Sequence, residues 1–166
     1  MLLAAGACYG QARLRLTPAK DGAIVTLSYS KRSVKLDLDE KLLGTNGTLP
    51  GNEPHQFKIL FTTEKTGHLY LVAKVCSASP ITNPMAACGG DSPCSILWIK
   101  TDKLFKEPEV QSEIYASCSY NYYDSKFTLT KTGLDIVFGG REKKRMTYDN
   151  ANAEKGLVIA EAGPGN

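Results

Sequence analysis

Hydrophobic and polar residues alternate along almost the whole chain. Residues 13–17 (RLRLT) alternate residue by residue, and Pro18 with Asp21-Gly22 then marks a turn. Residues 23–30 (AIVTLSYS) and 33–38 (SVKLDL) repeat the pattern, as a sheet with one wet face requires. A turn-rich stretch, 44–54 (GTNGTLPGNEP), follows. Residues 56–63 (QFKILFTT) and 68–76 (HLYLVAKVC) flank Glu64-Lys65-Thr66-Gly67, a hairpin signal. Residues 95–100 (SILWIK) predict a short buried strand with the only tryptophan, and 112–120 (SEIYASCSY) predict another. A further hairpin is predicted where 126–131 and 134–138 meet at Thr132-Gly133, with weaker strands over 145–148 and 157–160.

Strands recur every ten to fifteen residues with Gly, Pro, Asn or Asp between them. The pattern predicts an all-β fold of about nine or ten strands, an antiparallel sandwich or barrel built from meander hairpins, over a single domain 13–166. Helix is confined to one turn each at 39–43 and 101–105. Long helical periods for parallel crossovers are absent, which excludes a doubly wound α/β fold.

The 166 residues are enough for one domain with a real core, and 42% hydrophobic with 22% charged residues excludes a disordered chain. No apolar run approaches the roughly 20 residues of a membrane helix. The net charge of +3 is far from a nucleic-acid footprint. The basic run 141–145 (REKKR) therefore reads as a solvated hairpin tip.

The first twelve residues (MLLAAGACYGQA) are small and apolar and place Gly10 and Ala12 where a signal peptidase needs small side chains. They predict export and cleavage after Ala12, hence a periplasmic or secreted protein. A second version makes Cys8 the lipidated residue of a poor lipobox, Ala5-Gly6-Ala7-Cys8. The cysteines agree with an oxidising compartment. Apart from Cys8 there are four, Cys76, Cys88, Cys94 and Cys118, enough for two disulfides in any of three pairings. Their spacing contains no CxxC, which argues against a zinc ribbon or a thioredoxin-like site.

Three of these cysteines fall in residues 76–94 (CSASPITNPMAACGGDSPC), which also hold three prolines, two adjacent glycines and no aromatic residue. Such a long connection between strands marks a functional loop, and the cysteines argue against disorder. Cys88 with Cys94 would close a tight lobe. Cys76 with Cys94 would pin the loop at its base. Ile81 and Met85 offer apolar contact, and Asp91 and Ser92 offer hydrogen bonds, so a partner protein is the expected ligand. Residues 119–125 (SYNYYDS) bring Tyr120, Tyr122 and Tyr123, an interface-like or sugar-platform composition.

No catalytic residue is assigned. GxSxG, HExxH, P-loop and GxGxxG motifs are absent, and His55 and His68 have no obvious nucleophile or acid beside them. Asp37, Asp39 and Glu40 lack the spacing of an EF-hand, and no metal or cofactor is expected. Asn46-Gly47-Thr48 is a short glycosylation sequon and carries little weight.

The combination is similar in general character to small bacterial envelope proteins that bind another protein, such as periplasmic enzyme inhibitors and immunity proteins against cell-wall-attacking toxins. The expected function is an inhibitor or immunity-type module whose stapled loop occludes the active site of a cell-envelope-directed enzyme or toxin. The alternatives are a glycan-binding or small-ligand-binding domain using Tyr120, Tyr122, Tyr123 and Trp98, and an envelope hydrolase with a non-local site.

Overall fold

The computed structural model describes residues 13–20, 23–43, 45, 47–50, 55–77, 93–117, 122, 124–140 and 144–161. The fold is all-β, as the alternation predicts, with eleven strands in three antiparallel sheets. The first sheet holds β1 (Arg15–Pro18), β2 (Ile24–Tyr29) and β3 (Arg32–Asp37). The second holds β4 (His55–Lys65), β5 (His68–Ser77), β6 (Cys94–Asp102) and β7 (Glu109–Ala116). The third holds β8 (Lys126–Leu129), β9 (Gly133–Val137), β10 (Lys144–Asp149) and β11 (Val158–Glu161). Within each sheet the strands neighbour one another in chain order, so every sheet is a meander.

The sheets stack in three layers, one more than a simple sandwich. The second sheet lies in the middle and buries both faces. Leu69, Leu71, Ala73, Val75, Leu97 and Ile99 point to one side, into a core shared with Leu16, Val25, Leu27 and Leu36 of the first sheet. Tyr70, Val72, Ile96 and Trp98 point to the other, into a core shared with Leu134, Ile136, Met146 and Tyr148 of the third. Successive side chains of a strand face opposite sides, so β5 and β6 are apolar at nearly every position instead of every second one. The outer sheets keep the alternation because one of their faces is wet.

An irregularity lets β4 serve both cores. Its register with β5 shifts between Ile59 and Phe61. Phe57 packs on the first core, and Leu60 and Phe61 pack on the second. A bulge reverses the facing of every residue beyond it. The β4–β5 turn follows its sequence signal: Thr66 and Gly67 have φ of 50° and 79°, the positive pair of a type I′ hairpin. At the β8–β9 hairpin glycine is required for space, because a Cβ on Gly133 would stand 2.2 Å from the Tyr148 carbonyl oxygen.

Helix is scarce, as expected. One turn, α1 (Leu38–Leu42), starts where Asp37 accepts a bond from the Glu40 amide at 3.1 Å and buries Leu38 and Leu42. Residues 101–105 form no helix, since β6 runs on through Asp102. A kinked 3₁₀ segment, Asn150–Lys155, closes the second core instead, capped by Asp149. Its Ala153 carbonyl accepts the Trp98 indole N–H at 3.1 Å. The tryptophan is 2% exposed, so it is a core residue and not part of a sugar platform.

Two outcomes follow. Leu71→Ala and Met146→Ala, one in each core, should each lower the unfolding free energy by about 2–5 kcal/mol in urea titrations. Burial pushes the Tyr115 hydroxyl up to about 12 and raises that of Tyr148 as well. A raised folded-state value favours the neutral form, so this stability is complete below the free-tyrosine value of about 10 and is lost as pH climbs from there towards 12. Unfolding midpoints measured between pH 8 and 11 should fall at the alkaline end, and less so in Tyr115→Phe.

Candidate functional site

The Cys76–Cys94 end of the middle sheet is the candidate site. These two residues face each other in the register of β5 and β6, with their Cα atoms 4.1 Å apart, and they are joined by a disulfide. Next to them the Ser77 amide donates to the Pro93 carbonyl at 3.0 Å. Cys76 and Cys94 therefore occupy a position between ladder hydrogen bonds, where cross-strand side chains approach most closely. Of the pairings that the spacing left open, the fold uses the one that pins residues 77–93 at their base. The second predicted bridge then falls to Cys88 and Cys118, both outside the described residues. So do Ile81, Met85, Asp91, Ser92, Tyr120, Tyr123 and the first twelve residues with Cys8.

The disulfide rests on a stiff platform. On one side it meets Gln56 of β4 and on the other Ala116 of β7. Behind it the Lys74 ammonium lies beside the rings of Tyr115 and Phe127, 5.9 Å from each centroid. Those rings stack at 5.7 Å. An ammonium within about 6 Å of an aromatic ring is attracted to its electron-rich face.

Tyr122, predicted as a partner contact, sits instead in the second core. It is 8% exposed, bridges to Ser117, and packs edge-on against Phe138 at 5.0 Å. Lys144 covers its ring and reaches its hydroxyl at 3.4 Å. In the alternation of a strand one face of the tyrosine run had to point inwards, and Tyr122 takes that place. The basic run is likewise engaged where it is described. Arg145 forks onto Asp135 of the neighbouring strand, with Nε donating at 2.8 Å, and holds that carboxyl below its usual range.

The two histidines serve the fold. His55, at the start of β4, is buried, and its Nε2–H donates to the Pro50 carbonyl at 2.6 Å. Its Nδ1 and the Ser95 hydroxyl lie buried without a hydrogen-bond partner among the described residues. His68 Nδ1 approaches the Thr66 carbonyl of its own turn at 3.2 Å. Neither ring meets a carboxylate or a serine hydroxyl among the described residues. Asp37 caps α1, and no cluster of His, Cys, Asp or Glu among the described residues has the arrangement of a metal site. No helix among them is long and apolar enough to cross a membrane.

No protein-family model matches the chain, and no curated protein or solved structure matches it either. The site is read from its own chemistry.

The disulfide spans 18 positions of chain. Replacing both cysteines by alanine should lower stability by about 3 kcal/mol, the entropy of closing a loop of this size in the unfolded chain. Denaturant titration of the double variant, and of the parent with and without dithiothreitol, checks this. Cleavage of the non-reduced protein after Met85 should leave the two fragments joined through Cys76 and Cys94, and reduction should part them.

Proposed function

We propose that this chain is an exported protein-binding module of the inhibitor or immunity type, which uses residues 77–93 to occlude the active site of a partner enzyme or toxin. The observation that carries the reading is the disulfide between directly opposed positions of the two central strands. A bond there limits what the connecting residues can do in the unbound state and so lowers the ordering cost of association. Ile81 and Met85 supply the apolar anchor, and Asp91 and Ser92 supply polar groups to pair with those the partner buries. Tyr120 and Tyr123 extend the contact. An oxidising compartment, periplasmic or extracellular, follows from the same bond.

The competing aromatic-platform reading loses two of its four residues, since Trp98 and Tyr122 are both core. The hydrolase reading has no histidine paired with an acid or nucleophile among the described residues to build on.

A photo-crosslinking residue at position 85, compared with one at exposed Leu43, identifies the partner in envelope extracts of the native host. The purified partner should then bind Met85→Ala/Asp91→Ala at least about tenfold more weakly than the parent, as loss of a central anchor does. The variant's unfolding transition should stay unchanged. Equal affinities for parent and variant would remove residues 77–93 from the interface.

A further inference from the structure

At the opposite end of the middle sheet the first and second sheets part around a cleft of about 690 Å³, within the size range of small-molecule sites. Arg13, Tyr29, Thr62, Glu64, Leu14 and Leu69 line it. From these residues we infer a second binding site, independent of residues 77–93, for an acidic sugar: a hexuronate unit, free or within an oligosaccharide.

The charges select the sign of the ligand. Tyr29 at the end of β2 donates its hydroxyl to Glu64 Oε2 at 2.7 Å, and the Lys103 ammonium meets Glu64 Oε1. Lys103 and Tyr29 hold the Glu64 carboxyl below its ordinary range, so it is ionised, fixed and already neutralised. Arg13 meets no carboxylate among the described residues. The group Arg13, Lys103 and Glu64 thus carries one net positive charge, centred on an unpaired guanidinium. A planar guanidinium takes a carboxylate through two parallel hydrogen bonds.

The remaining groups select hydroxyls. Each Glu64 oxygen has accepted one donor and keeps capacity for another. A second ammonium would compete with Lys103 there, whereas neutral hydroxyl groups would not. The Thr62 hydroxyl makes no hydrogen bond within the described protein and can donate or accept. Leu14 and Leu69, both buried in the first core, close the base of the cleft beneath these groups. The Tyr29 ring has Lys103 Nζ 5.9 Å from its centroid, which fixes its tilt at the cleft wall. One carboxylate and several neutral hydroxyls on a small rigid frame describe a hexuronate more closely than an inorganic anion.

The test uses the full chain labelled with nitrogen-15. Titration with sodium glucuronate and with tetragalacturonate should shift the amide signals of Leu14, Thr62 and Leu69 and the Arg13 Nε–H, saturably. Glucose and cellotetraose should leave them in place. Arg13→Ala, a surface change that leaves the fold intact, should weaken binding about tenfold, the usual loss for a charge-assisted pair. Thr62→Val should weaken it by a smaller factor. Equal shifts from neutral sugars, equal shifts from sodium sulfate, or an Arg13→Ala variant binding within twofold of the parent would each overturn the assignment. So would an absence of shifts at tens of millimolar glucuronate.

Discussion

The middle sheet has two apolar faces, and the rest of the molecule is what it takes to cover them. A strand that places leucine, tyrosine and valine on successive positions cannot leave either side in water at about 25 cal/mol per Å² of exposed apolar surface. The chain answers with one meander before the middle sheet and one after it. The order of the sheets in sequence is therefore their division of labour: strands β1–β3 cover the first face and β8–β11 the second. Each cover is small, and neither has a second apolar face of its own, so each depends on the middle sheet for its core.

That arrangement governs where polar groups sit. Lys74 lies within β5, where a bare charge would be costly, and its head group sits beside the stacked pair Tyr115 and Phe127, 5.9 Å from each centroid. The Trp98 indole N–H finds the Ala153 carbonyl, which explains why a 3₁₀ segment closes that core. The hydroxyl of Tyr29 and the carboxylate of Glu64 join the first sheet to the second where the layers separate. One end of the middle sheet carries the disulfide and the other the polar cleft.

The strands were legible because the outer sheets alternate and the hairpins announce themselves, as at Thr66-Gly67 and Thr132-Gly133. The third layer was less so. Residues 69–73 and 96–99 are continuous apolar runs, and such a run states that both faces are buried without stating what covers them. The β4 bulge left a trace in the sequence, Ile59-Leu60-Phe61, three apolar residues where alternation calls for two. Asp149 ahead of residues 150–155 was a cap signal with no helical period behind it. Cys76 with Cys94 was one of three pairings because strand register depends on tertiary alignment, and a connection this long fixes none. The cleft was out of reach, since Arg13, Tyr29, Glu64 and Lys103 are scattered over half the chain and meet only through the stacking of two sheets.

The distance between Ser77 and Pro93 bears on what residues 78–92 are for. The two residues already share a hydrogen bond, so a hairpin of two residues would join these strands. The chain uses fifteen. Extra length costs little, because closure entropy rises only with the logarithm of loop size, and the disulfide offsets much of it. In the proposed function these residues meet the partner while a covalent bond ties their base to β5 and β6. The same bond would hold β5 and β6 in register under the load that such a contact places on them.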